Sequence, residues 1–225
     1  RLALSDTKGN FYVVKNAGAV NIVKQEQTSP NDKTRALQTG NFATAWIDHG
    51  GVVSGGGYEY MLVVHASDDD VARYGRELPY EVLRRDASAH ILRDRPSGIT
   101  AYALFEAGEV GEGLLESVSQ PSLVMIGGGK GGLTVSVADP DLRFYEGPSD
   151  EVFDADGKRR ERSIYSRTWI DNPSEASELE VVVRGRWQPD SDTPGCRTAA
   201  EGENTRLTFT CREGATREVN LIEIR

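Results

Sequence analysis

The sequence predicts an all-β protein: antiparallel β-sandwich domains with one short helix. Three observations carry this. Most apolar segments alternate with polar residues at the period of two that a half-buried strand shows. Turn signals recur about every ten residues, a rhythm that fits sandwiches and is too short for βαβ units. One segment alone has strong helix signals.

Taken in order, "NFYVV" (10–14), "VNIVKQEQT" (20–28), "FATAWID" (42–48) and "YEYMLVVHA" (58–66) are rich in β-branched and aromatic residues. "NAG", "SPND" and "GGVVSGGG" separate them as turns. "SDDDVARYGREL" then predicts a helix near 68–77. Ser67 is a good N-cap, and Asp68, Asp69 and Asp70 sit where the helix dipole favours anions. Val71, Tyr74 and Leu78 form its apolar stripe. The three aspartates read as a charged helix start, because the spaced oxygen ligands of a calcium loop are missing. Pro79 marks a boundary after the helix. Strands then return: "YEVLRRD", "SAHILRD", "GITAYALFE", "SLVMIG", "LTVSVAD", "RSIYSRTWI", "ELEVVVRGRW", "RLTFTC" and "REVNLIEI".

The length of 225 residues suffices for one large β domain or two small ones. With 38% apolar and 27% charged residues the composition is that of a globular protein rather than a disordered one. No apolar run approaches the ~20 residues of a membrane-spanning helix, so no membrane partner is expected. A net charge of −9 repels nucleic acid at long range and argues against it as a partner. The start, "RLALSDTKGN", lacks both an initiator Met and the apolar segment of a signal peptide, so a mature or excised fragment is expected.

Few residues point to chemistry. His49, His65 and His90 are far apart, and no Cys/His set has zinc spacing. No metal and no cofactor are expected. "GGGKGG" (127–132) lacks phosphate-loop spacing and precedes a strand, so it reads as a hairpin turn. In "GNFATAWIDHG" (40–50), strand alternation sends Asp48 and His49 to opposite faces, against a direct Asp–His pair. Trp169 and Trp187 lie in strands and read more readily as core than as sugar-stacking platforms. "KRRER" (158–162) reads as a solvated hairpin tip. Cys196 and Cys211 flank a hairpin whose turn is "EGEN". Folding about Glu203-Asn204 sets them opposite each other, within disulfide range. A Cys196–Cys211 bond is expected, with two unrelated thiols as the alternative. The bond would suit an exported, secreted or periplasmic protein.

Several phrases resemble a known family. "VKQEQTSPNDKTRALQTGNFATAWIDHG", "YEYMLVV", "YEVLRRDASAHILRD" and "GITAYALFEAGEV" are similar to the C-terminal part of family-eight polysaccharide lyases, nearest the chondroitin ABC lyase branch. "GRWQ" (185–188) and "TRLTFT" (205–210) echo family phrases near the C-terminus. The resemblance implies that 1–78 is the end of a central β-sandwich domain and 79–225 a C-terminal β-sandwich domain. It also implies a lyase that cleaves glycosaminoglycans of the chondroitin or hyaluronan type by β-elimination. The family's catalytic Asn, His, Tyr and Arg lie in a large helical domain, and one short helix cannot be that domain. No catalytic residue is therefore carried over, and the substrate-binding residues stay unknown. The expected partners are an acidic polysaccharide, met through the intact enzyme, and the missing N-terminal helical and β portion of the same protein. The isolated chain is expected to be inactive. A stand-alone carbohydrate-binding sandwich is the alternative.

Overall fold

The structure is a computed structural model. It describes residues 2–15, 18–51, 54–129, 131–143, 152–160 and 174–224. The chain divides into two units, Arg1–Leu78 and Pro79–Arg225.

The first unit contains β1 (Leu2–Ser5), β2 (Phe11–Lys15), β3 (Ala19–Pro30), β4 (Leu37–Asp48), β5 (Glu59–Val63) and α1 (Asp68–Tyr74). β1, β2 and β5 form a three-stranded antiparallel sheet in the order β1-β2-β5. β3 and β4 form a separate two-stranded ribbon, paired from Ala19↔Asp48 to Pro30↔Leu37. The helix starts where its cap residues predict. Ser67 accepts from the Asp70 N–H at 3.2 Å, and Asp70 Oδ2 accepts from the Ser67 N–H at 3.0 Å. This reciprocal capping box satisfies two donors that a helix start leaves open. The helix is shorter than the sequence predicts. Gly75 follows as its C-cap and donates to Val71 O at 3.0 Å, and glycine is a poor residue on which to continue a helix.

The second unit is a β-sandwich. Its strands are β6 (Tyr80–Arg85), β7 (Ala89–Asp94), β8 (Thr100–Leu104), β9 (Gly108–Glu109), β10 (Leu115–Val118), β11 (Ser122–Gly129) and β12 (Gly132–Ala138). Then come β13 (Val152–Phe153), β14 (Arg159–Arg160), β15 (Ser177–Arg184), β16 (Trp187–Pro189), β17 (Cys196–Glu201), β18 (Asn204–Cys211) and β19 (Arg217–Glu223). One sheet runs β16-β19-β12-β11-β8-β7-β6 and the other β17-β18-β15-β10-β9, all antiparallel. β13 and β14 pair as a small hairpin. The alternation read from the sequence is the burial pattern. In "NTRLTFTC", Thr205, Leu207, Phe209 and Cys211 point inward, and the residues between them do not. Ile91, Val124, Val135 and Leu221 from one sheet meet Leu115, Val181, Leu207 and Phe209 from the other in a single core. The all-β sandwich fold class is therefore as the sequence predicts. The strand expected over "RSIYSRTWI" lies outside the described residues.

The expected Cys196–Cys211 bond is a correction: both thiols are free. The turn centre explains it. Glu201 pairs with Asn204, so the two-residue loop is Gly202-Glu203, with Gly202 at φ +60°. A two-residue hairpin with glycine first and a positive φ there has the signature of a type II′ turn. Moving the centre by one residue moves the pairing by two. Cys196 therefore faces Phe209, while Cys211 faces Ser177 of β15. Diagonal neighbours in a sheet stand ~7–8 Å apart, too far to bridge without moving the backbone.

Candidate functional site

The structure scatters most of the residues that the sequence singles out. His49 is exposed just beyond β4, its ring 6.2 Å from that of Tyr58, which stacks in turn on Tyr60 at 6.1 Å. Asp48 does not address it, because its Oδ1 accepts from the Gly50 N–H at 2.8 Å. His65 is exposed on a turn at φ +50°, and His90 packs edge-on to Phe105 at 5.1 Å. Asp68, Asp69 and Asp70 form the first turn of α1. Among the described residues, no group of three or more His, Cys, Asp or Glu could hold a metal ion. Gly127, Gly128 and Gly129 belong to β11, and Gly129 pairs with Gly132 across a tight hairpin. Lys158 is exposed, and Arg159-Arg160 form β14. Glu161, Arg162 and Trp169 lie outside the described residues.

One concave surface has several polar groups converging on an aromatic ring. It is an open groove of about 350 Å³ between β16, an edge strand of one sheet, and β17, an edge strand of the other. The chain passes between the sheets here, from β15 to β16 through Gly185-Arg186. Gly185 is required at this crossing. Its φ is +91°, and a Cβ would stand 3.0 Å from Trp187 Nε1. Buried Thr205 locks the crossing by accepting from the Trp187 N–H at 2.8 Å and donating to Gly185 O at 2.9 Å. The indole N–H donates to Arg184 O at 2.7 Å, which fixes the ring against the core.

Trp187, Pro189 and Ile224 make the apolar part of the groove, and Arg186, Gln188 and Asn204 its polar part. The Arg186 side chain is 54% exposed and donates to Gly202 O at 3.1 Å, with Glu203 at 3.7 Å. A planar guanidinium keeps further donors open in that arrangement. No carboxylate, histidine or thiol lines the groove. It can hold a polar ring with an apolar face and an anionic substituent, and it offers no proton-transfer group. The sequence reading favoured Trp187 as core. The residue is half-buried and does both: it packs on the core and lines the groove. Gly185 and Thr205 escaped the sequence reading. The one available signal was a glycine directly before "RW" in an otherwise unbroken strand pattern.

Residues 81–142 match the family model described as polysaccharide lyase family 8, C-terminal beta-sandwich domain. That stretch of the chain is similar to this lyase domain. The lyase similarity extends well beyond the matched residues. The chain is 40% identical over 186 residues to a chondroitin sulfate ABC exolyase of Bacteroides thetaiotaomicron, covering 81% of this chain and 18% of the relative. It is 29% identical over 223 residues to a chondroitin sulfate ABC endolyase of Proteus vulgaris, covering 97% of this chain and 20% of the relative. The chain thus spans about a fifth of the length of these lyases. A solved chondroitin AC lyase of Streptomyces coelicolor A3 superposes with a TM-score of 0.66 at 19% identity, covering 96% of this chain and 25% of that one. A Paenibacillus xanthan lyase superposes with a TM-score of 0.68 at 15% identity, covering 96% and 19%. At such identities the superpositions establish the fold alone.

Proposed function

We propose that the chain is the C-terminal β portion of a glycosaminoglycan lyase acting on chondroitin- or hyaluronan-type polymers. The observation that carries this is the 40% identity to the Bacteroides thetaiotaomicron exolyase. The substrate is an acidic polysaccharide, and the reaction is β-elimination. A base takes the proton beside the uronate carboxyl, the glycosidic carbon–oxygen bond breaks, an acid protonates the departing oxygen, and a carbon–carbon double bond is left in the uronate. Such a polymer is too large and too charged to cross a bilayer, which supports a secreted or periplasmic location.

In this reading the chain is scaffold. Arg1–Leu78 ends the central β domain, and Pro79–Arg225 is the C-terminal sandwich. The helical and β portion upstream holds the acid and the base. Removing such a proton requires a base within hydrogen-bond reach and a neutralised carboxylate, and three dispersed histidines do not supply that pair. The expected result is that the isolated chain gives no rise in the short-wavelength ultraviolet absorbance of an unsaturated uronate with chondroitin, dermatan or hyaluronan, while the complete polypeptide does. A clear rise from the isolated chain, abolished by His49→Ala, would overturn this.

The Trp187–Arg186 groove favours a second reading, a stand-alone carbohydrate-binding sandwich. Titration calorimetry with chondroitin oligosaccharides separates the two. Saturable binding by the isolated chain that is lost in Arg186→Ala supports the second reading, and no binding heat removes it.

A further inference from the structure

Among the described residues, the two large sheets of the second unit end on four strands, β6, β9, β16 and β17. A long, flat edge is a template for a further strand, and proteins blunt it with bulges, prolines, charges or shortness. β6 carries a register break between Val82 and Arg84, β9 has two residues, and β16 has three and ends in Pro189. β17 has none of these devices. Its six residues, "CRTAAE", include no proline, glycine or lysine. They pair with β18 without a break from Cys196↔Phe209 to Glu201↔Asn204.

The phase of the ladder sets what this edge offers. The Thr210 N–H donates to Gly195 O at 2.8 Å. Bonded and non-bonded pairs alternate along an antiparallel ladder, so Arg197, Ala199 and Glu201 turn their N–H and C=O groups to β18. Thr198 and Ala200 turn theirs to the open side, where no strand pairs with β17 among the described residues. The side chains alternate too. Cys196, Thr198 and Ala200 share the face of Phe209, Leu207 and Thr205, which are buried, and Arg197, Ala199 and Glu201 stand on the outer face. There Arg197 donates to Glu178 Oε1 at 2.7 Å, and Glu201 accepts from Arg206 Nε at 2.5 Å.

We propose that β17 pairs with β17 of a second copy of the chain, antiparallel and centred on Ala199, so that the two five-stranded sheets join across a two-fold axis. The strand is complementary to itself in that register. Thr198 faces the second copy's Ala200, and each turns its open N–H and C=O to the other. Ala199 faces its own counterpart, where two methyl groups leave room for the strands to meet. Arg197 faces the second copy's Glu201 on the outer surface. The Glu178–Arg197 pair of one copy and the Glu201–Arg206 pair of the other then form one row of alternating charge, and opposite charges facing each other across strands are stabilising. Thr198 and Ala200 also line the groove beside Trp187 and Ile224, so the added strand covers part of its mouth. Donors and acceptors at strand spacing suit a second strand and not a sugar chain. A strand edge is a small interface, and contacts below ~1,200 Å² are weak and transient, so the pair forms with rising concentration.

Sedimentation equilibrium of this chain and of the complete polypeptide tests the pairing. Both are expected to form dimers that dissociate on dilution and weaken with salt. Arg197→Glu and Glu201→Arg each set like charges opposite each other and are expected to weaken association by about tenfold. Mixing the two variants restores both opposite-charge pairs, so a mixed dimer is expected to regain the original affinity. Ala200→Pro removes an edge N–H that β18 does not use and is expected to abolish the dimer. Circular dichroism checks that each variant keeps the fold. Ala199→Cys is expected to link two chains through a disulfide under oxidised glutathione, because facing residues of a non-bonded pair lie ~4.5 Å apart. If a charge variant fails to fold, this cross-link decides, and its absence overturns the proposal. A monomer at every concentration, an affinity untouched by Ala200→Pro and by both charge reversals, or folded charge variants that do not associate on mixing would each overturn it. A complete polypeptide that stays monomeric while this chain dimerises would make a strand of the same polypeptide the occupant, and would overturn it too.

Discussion

Asp139 is a buried carboxylate, 2% exposed, beside the end of β12. It accepts from Ser177 Oγ at 2.6 Å, Gln120 Nε2 at 2.9 Å, the Asp141 N–H at 2.9 Å and Arg143 Nε at 3.3 Å. Burial is the largest single effect and pushes its pKa up. Ser177, Asp141 and Arg143 together outweigh it and hold the carboxyl below its ordinary 3.8. A carboxylate whose folded pKa lies below its unfolded one adds stability above the unfolded value. That stability is lost as pH falls through the folded value. Asp139→Ala is expected to cost about 3 kcal/mol at pH 7, because it leaves Arg143, Gln120 and Ser177 without their shared acceptor. Urea unfolding at pH 7 and pH 3 checks this, and the gap between wild type and variant should narrow at the lower pH. The cysteines supply a second residue-scale expectation. Burial pushes the Cys196 thiol up to about 11 and that of Cys211 upward as well. Two thiols should alkylate after unfolding without reductant, and both should react slowly in the folded protein at pH 8, since the thiolate is the nucleophile. An intact mass showing a bridge would contradict the register described above.

At the scale of elements, Gly202 tests the hairpin that separates the cysteines. Its φ of +60° lies in the left-handed region, where a branched side chain costs roughly 1–2 kcal/mol. Gly202→Val should lower stability by about that amount, measured as a shift in the denaturation midpoint. A neutral result would mean that the turn is centred elsewhere. This turn also shows where the sequence was legible and where it was not. The alternation of "RLTFTC" declared both the strand and its inward face. The centre of "EGEN" was ambiguous by one residue, and that residue decided the fate of the disulfide. Ser67 with Asp70 was legible because a capping box is a local pattern. Sheet order was not, because β12 pairs with β19 and β15 with β18, partners far apart in sequence that no local pattern names. The Asp139 cluster was hidden for the same reason, since Gln120, Ser177 and Arg143 are brought together only by the sandwich. The groove at Trp187 depends on the crossing of Gly185 between two sheets, which strand periodicity cannot show.

At the scale of the molecule, the two units differ in kind. Pro79–Arg225 encloses a core shared by two sheets, with Leu179, Val181, Leu207 and Phe209 from one and Ile91, Val135, Val137 and Leu221 from the other all at or below 1% exposure. Among the described residues of Arg1–Leu78, the buried large apolar side chains are Phe11, Val13 and Leu78 alone, while Ile22, Phe42, Trp46, Tyr60 and Leu62 are exposed. Folding must offset a conformational entropy cost of roughly 1–2 kcal/mol per residue, and burial of apolar surface is the main term that does so. By that measure the second unit is self-sufficient and the first is not. Residues 79–225 expressed alone should unfold in one cooperative transition, and Phe209→Ala should cost that transition about 3–5 kcal/mol, as truncation of a fully buried ring does. Residues 1–78 expressed alone should show weak amide protection and no cooperative melt, apart from local order at the capped helix. Calorimetry and hydrogen exchange on the two pieces decide it. A sharp melt from 1–78 would mean that this unit holds a sufficient core of its own, which its few buried apolar side chains argue against.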